Sequence, residues 1–132
     1  MPIVNPAELE TLIATWRDHG DTVALASGSF DVLHVGHVRY LQGAKRRADR
    51  LVVAVSDDAS VQALEGAGRP ILSAADRAEL VAALDAVDTV IICSETAVTD
   101  LLESVRPDVH CEDTQPTEQS TRELIARIAN QP

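Results

Sequence analysis

Three short apolar runs, at 22–27, 51–56 and 89–93, and a shorter strand-like segment at 108–111 punctuate this chain, and amphipathic stretches fill the gaps between them. The second run, Leu51-Val52-Val53-Ala54-Val55-Ser56, is continuous rather than alternating. Strands covered on both faces need that pattern, and such strands belong to parallel sheets sandwiched between helices. The gaps supply the helices. Leu9, Leu12, Ile13 and Trp16 fall at helical spacing over 6–18, with Asn5-Pro6 as N-cap and first turn and Gly20 as the stop, so residues 1–20 hold a leading helix. Further helices are expected over 35–47, from Asp57 or Asp58 to 64, over 73–84, over 97–105, and from Ser120 or Thr121 to 129. Residues 65–70 and 112–119 read as links, the latter polar and carrying Pro116.

This alternation specifies an α/β chain: a single Rossmann-like open parallel sheet of four or five strands with helices on both faces. The 132 residues fit one domain, 1–132, burying roughly two-thirds of its unfolded surface. Only Trp16, Phe30 and Tyr40 are aromatic, so Ala, Val, Leu and Ile must build the core. That leaves little surface for stacking bases, and a formal net charge of −10 opposes both phosphate backbones and anionic lipid. Neither nucleic acid nor a membrane is an expected partner. No apolar run approaches 18 residues and the first residues lack a signal-peptide core, which gives a cytoplasmic expectation. Cys93 and Cys111 lie outside any CxxC or CxxH pattern and read as reduced structural thiols rather than metal ligands.

Ligands of open parallel sheets bind beyond the carboxyl ends of the strands. Behind the first strand stands Gly28-Ser29-Phe30-Asp31-Val32-Leu33-His34-Val35-Gly36-His37, which leads into an amphipathic stretch. A strand, a tight turn and a helix start aim backbone N–H groups and the positive helix end at one point, which suits a phosphate. Gly28 and Gly36 permit close backbone approach. His34 and His37 at that point can donate hydrogen bonds to an oxygen gaining charge during reaction.

Gly28-Ser29-Phe30-Asp31 followed by His34-Val35-Gly36-His37 resembles the signature of the cytidylyltransferase-like nucleotidyltransferases. Within that family the heptose 1-phosphate adenylyltransferase domains are most similar, through 33–41, 53–61, Gly68-Arg69-Pro70-Ile71 and Asp76-Arg77. Glycerol-3-phosphate cytidylyltransferases share the signature but match the loop after the second strand less well. The resemblance implies transfer of a nucleoside monophosphate from ATP or CTP to a sugar or polyol phosphate, with release of pyrophosphate and no covalent enzyme intermediate. His34 and His37 would stabilise charge on the transferring phosphoryl group. Gly28, Ser29, Phe30 and Gly36 would line the nucleotide site, where Arg77 would face the triphosphate or brace the site. Ser120 and Thr121 match a Ser-Thr pair that holds phosphates at a helix start. Asp31 and Asp58 would place the acceptor, with Arg69 beside them. Mg2+ would be held mainly by the nucleotide phosphates, and a homodimer is implied by analogy.

Each role has a plainer rival: Asp58 as a helix cap, Asp31 as a turn-former, Arg77 as a solvated partner of Asp76, Ser120 or Thr121 as an ordinary N-cap. Three features depart from the resembling domains. Glu65 precedes Gly66, and Glu112 follows Cys111, where those domains carry lysines; the link 112–119 is shorter than theirs. An ion pair at about 4 Å is worth roughly 4 kcal/mol at an effective dielectric near 20, so reversing one phosphate contact costs several powers of ten in rate. A nucleotide- or phosphate-binding module without catalysis is therefore the alternative reading.

Overall fold

The computed structural model describes residues 3–112 and 115–130. The chain runs α1 (Pro6–Asp18), β1 (Val23–Gly28), α2 (Val35–Lys45), β2 (Arg50–Ser56), α3 (Asp58–Glu65), α4 (Ala74–Ala82), β3 (Thr89–Cys93), α5 (Glu95–Val105), β4 (Val109–Glu112) and α6 (Gln115–Ala129). The strands form one parallel sheet in the order β3-β2-β1-β4. Ala26 of β1 registers with Val53 on one side and Cys111 on the other. Because β2 follows on one flank of β1 and β4 docks on the opposite flank, strand order reverses at β1, and a crevice opens beyond the carboxyl ends there.

Strand alternation divides the core. Val23 and Leu25 of β1, Val52 and Ala54 of β2 and Ile91 of β3 pack with α1 and α5 through Leu9, Ile13, Trp16, Leu101 and Val105. Ala24, Ala26, Leu51, Val53, Val55 and Val90 pack instead with α2 and α4 through Leu41, Ala44, Ala78 and Val81. Both faces are thus covered, as the continuous apolar runs require. Leu25, Leu41 and Leu51 are wholly buried, and truncating any of them to alanine costs about 2–5 kcal/mol.

The amino edge of the sheet is fastened by aspartates. Asp49 accepts from the Thr22 N–H at 2.8 Å, Asp108 from Val23 at 2.8 Å and Asp88 from Leu51 at 2.7 Å. Arg17 pairs with Asp108, and Lys45 with Asp88. Asp49, Asp88 and Asp108 thus work at the end of the sheet away from the crevice.

The structure decides two open alternatives and moves the start of two helices. The sheet of the described residues has four strands, which decides between four and five. Asp57, not Asp58, caps α3 and accepts from Ser60 N–H. Helix α5 begins at Glu95 rather than 97, because the Ser94 hydroxyl caps it. The largest correction is α6, which starts at Gln115 instead of Ser120 or Thr121. Pro116 falls in its first turn, where a missing N–H is harmless and the fixed φ favours the helix. Most of the expected link 112–119 is consequently helix; residues 113 and 114 lie outside the described ones.

Candidate functional site: the turn after β1

The turn joining β1 to α2 is built under strain. Phe30 and Val32 both adopt positive φ, 54° and 56°, a region that costs L-residues about 1–2 kcal/mol each. Burial of Phe30 and the bonds of Asp31 hold them there. Asp31, fully buried, accepts from Arg69 Nε at 2.7 Å, from Ile71 N–H at 2.7 Å and from Leu72 N–H at 3.0 Å. Burial works to raise its pKa, but the Leu72 and Ile71 amides and Arg69 outweigh it and hold the carboxyl below its usual range. Asp31 and Arg69, expected to contact an acceptor, instead fasten loop 66–72 to the turn. A carboxylate already serving three donors from one loop is a clamp for that loop.

The two histidines cap α2 reciprocally. His34 Nδ1 accepts from Gly36 N–H at 3.0 Å, and His37 Nδ1 accepts from His34 N–H at 3.1 Å. An Nδ1 that accepts carries no proton, so each neutral ring keeps its hydrogen on Nε2. Gly36 is thereby a cap donor as well as part of the turn. The ring centroids stand 4.1 Å apart, and Phe30 packs against His37 at 5.5 Å. His37 is wholly buried; desolvation, then the neighbouring His34, pushes its pKa down to about 4 against a smaller opposing pull from Asp31. Near neutral pH His37 is an uncharged N–H donor. Tyr40, one helical turn on, lies 3.0 Å from Ser27 O and 2.9 Å from Cys111 O, so its hydroxyl spans the ends of β1 and β4.

Arg77 is the second surprise. Its side chain is fully buried, and it donates to Leu72 O, Ser29 O and Ser56 O at 3.0, 2.6 and 2.8 Å and to Asp58 Oδ1 at 2.8 Å. It braces the site rather than facing a triphosphate, and it does not lie on a solvated face beside Asp76. Asp58 Oδ1, meanwhile, also accepts from Ala74 N–H at 2.8 Å, so it joins α3 to α4. The guanidinium ties the carbonyl ends of β1 and β2 into one rigid rim.

A cavity of about 400 Å³ opens at that rim, lined by Gly28, Ser29, Ser56, Glu65, Glu112 and Arg122 among others. Glu65 is no loose loop charge: its side chain is 6 % exposed and pairs with Arg122 at 3.1 Å and Arg69 at 3.7 Å. Glu112 closes β4 beside Ser27. Ser120 and Thr121 are the sixth and seventh residues of α6, beyond the four N–H groups that a helix start leaves open. A contact through open helix-start N–H groups at these two residues is therefore overturned. Thr121 is buried instead, with its hydroxyl 2.8 Å from His34 Nε2. The sequence reading had missed Tyr40 and Arg122. Tyr40 could have been found three residues after His37, on the same helix face.

Residues 25–127, which carry this strand-end site, match one family model, cytidylyltransferase-like. The chain belongs to the cytidylyltransferase-like family. This family of nucleotidyltransferases includes chains more similar still. The bifunctional protein HldE of Methylobacillus flagellatus is 42 % identical over 107 residues, 81 % of this chain and 22 % of its own length. That of Pseudomonas paraeruginosa is 52 % identical over 93 residues, 70 % of this chain and 20 % of its own. The chain thus spans about a fifth of these curated relatives. A lipopolysaccharide core biosynthesis protein from Thermoplasma volcanium superposes with a TM-score of 0.66 at 29 % identity, covering 83 % of this chain and 90 % of that one. No helix among the described residues is long and apolar enough to cross a membrane.

Proposed function

We propose that this cytidylyltransferase-like domain moves AMP from ATP to a sugar 1-phosphate resembling heptose 1-phosphate and releases pyrophosphate. The observation that carries this reading is the reciprocal cap, which fixes His34 and His37 as adjacent Nε2–H donors at the start of α2, with that of His34 resting on the Thr121 hydroxyl until substrate replaces it. An acceptor phosphate oxygen attacks the α-phosphorus, the bond to the bridging β-phosphate oxygen breaks, and pyrophosphate leaves. Charge grows on the transferring group without a covalent enzyme intermediate, and preorganised donors are what such a step needs. His37 serves as a donor that stays neutral, not as a proton source. Resemblance to HldE proteins supports the adenylyl donor and heptose-like acceptor.

No group of three acidic, histidine or cysteine side chains among the described residues is arranged to hold a metal. Magnesium is proposed to arrive on the triphosphate oxygens, which suit a small hard cation. The acceptor, the nucleotide and a second copy of the chain are the proposed partners.

Pyrophosphate release from ATP and from CTP, assayed against a panel of sugar and polyol phosphates, tests the reading. ATP with a sugar 1-phosphate should be the productive pair, and His37→Ala should lower turnover about 100- to 1,000-fold with folding retained. Preference for CTP with a polyol phosphate would transfer the assignment to cytidylyl transfer. Binding of nucleotide with no turnover on any acceptor would leave a silent binding module.

A further inference from the structure

Two consecutive residues of α6 reach the site from above. Successive helix residues turn by about 100°, so Thr121 meets the histidine turn while Arg122 meets the end of α3. Arg122 grips Glu65 through two nitrogens, Nε at 3.2 Å and Nη2 at 3.1 Å. The Arg122 side chain is 44 % exposed, whereas Glu65 is almost covered. Both line the cavity that begins at Gly28 and Ser29. Glu95 and Glu112 line it too, and Arg122 is the one cation among the described residues around it.

That distribution is a poor receptor for a polyphosphate unless the guanidinium changes partners. The other arginines near the turn are engaged inward: Arg69 with Asp31 and, at 3.7 Å, with Glu65, and Arg77 with three carbonyls and Asp58. A guanidinium fork fits phosphate as well as carboxylate. Being half exposed, Arg122 can swing without opening the core, but Glu65 cannot follow it.

We propose that Arg122 clamps the phosphate chain of the nucleotide and that Glu65 is its resting counter-ion, displaced when nucleotide binds. The inference rests on the nucleotidyl-transfer reading above and adds to it a chain-specific switch: Glu65 competes with the substrate for one arginine. It also gives Glu65 a use. Its negative charge keeps Arg122 folded over the rim and sets how tightly nucleotide must bind to recruit it.

Calorimetric titration of ATP with magnesium into the full chain tests this with Glu65→Gln, Arg122→Gln and the double variant. Glu65→Gln should tighten binding about tenfold and Arg122→Gln weaken it about tenfold, each equivalent to about 1.4 kcal/mol. The double variant should bind like Arg122→Gln, because Glu65 acts through Arg122. Arg122→Lys, which keeps the charge and loses the fork, should fall between wild type and Arg122→Gln and keeps the test decisive if the glutamine variant folds poorly. A Glu65→Gln gain that persists without Arg122 would overturn the switch while leaving nucleotide binding intact, since Glu65 would then merely repel phosphate. Unchanged binding by Arg122→Gln would overturn it likewise. Absence of binding by wild type and every variant at millimolar ATP would overturn the nucleotide reading and the switch together.

Discussion

Acidification should unfold this protein partly through one side chain. His37 is buried beside His34, and its pKa falls from the ordinary 6.5 to about 4. Above pH 6.5 the ring is neutral in both folded and unfolded chains, and its contribution to stability is complete. Between 6.5 and about 4 the unfolded chain takes up a proton that the folded chain refuses, so stability is lost as pH falls through that window. At about 1.4 kcal/mol per pH unit the gap corresponds to about 3 kcal/mol, a sizeable share of the 5–15 kcal/mol typical of a domain. The comparison variant is His37→Asn, whose side-chain oxygen can still accept from His34 N–H but does not titrate. Urea unfolding from pH 7.5 to 4 would give a wild-type curve that falls more steeply than the variant's by about 3 kcal/mol. Carboxylates such as Asp31 titrate in both proteins and cancel in the difference. Parallel curves would refute the claim that His37 is a buried neutral ring.

Arg77→Met should destabilise the fold by about 3–5 kcal/mol, read as a lower urea midpoint at constant m, since three carbonyls and Asp58 lose their donor. Asp31→Asn should release loop 66–72, seen as faster amide exchange at Ile71 and Leu72. Its depressed pKa means the wild-type clamp is intact above the ordinary 3.8 and is lost as pH falls through the lower folded value. Cys93, whose thiol burial and the nearby Asp57 and Glu95 push up to about 11, should alkylate slowly at pH 8 in the folded protein and quickly in urea.

The sheet was legible because its signals are local and agree. The continuous run at 51–56, Asn5-Pro6 before α1 and Ser73 before α4 each point to the element found there. The histidine turn was legible for the same reason: its functional atoms lie within ten residues of chain. What the sequence concealed are the partners of charged groups. Asp31 meets residues 38 to 41 positions away, Arg77 meets Ser29 at 48, and Glu65 meets Arg122 at 57. No periodicity encodes such pairs. Helix α6 was misread for a related reason: Ser120-Thr121 is a good N-cap sequence, yet Pro116 offers an earlier start, and Thr121 gains His34 as a partner only if the helix already runs beneath it.

That shift of α6 also decides how the site can hold an anion. Both histidines give up Nδ1 to the helix cap and act as neutral donors, so neither brings positive charge while the cap is intact. Arg69 and Arg77 bring it, but Asp31 and Asp58 answer it within the rim. A chain of net charge −10 offers no long-range attraction to a triphosphate either. Affinity must then arise from short-range hydrogen bonds at the start of α2 and from a cation that can change partners. Helix α6 runs through Thr121 and Arg122, and its packing puts Thr121 over His34 with Arg122 over the cavity. A helix starting at Ser120 would have presented backbone N–H groups to phosphate; the one present substitutes a side-chain fork. Recognition in this chain accordingly depends on the side chains that its last helix presents to the site.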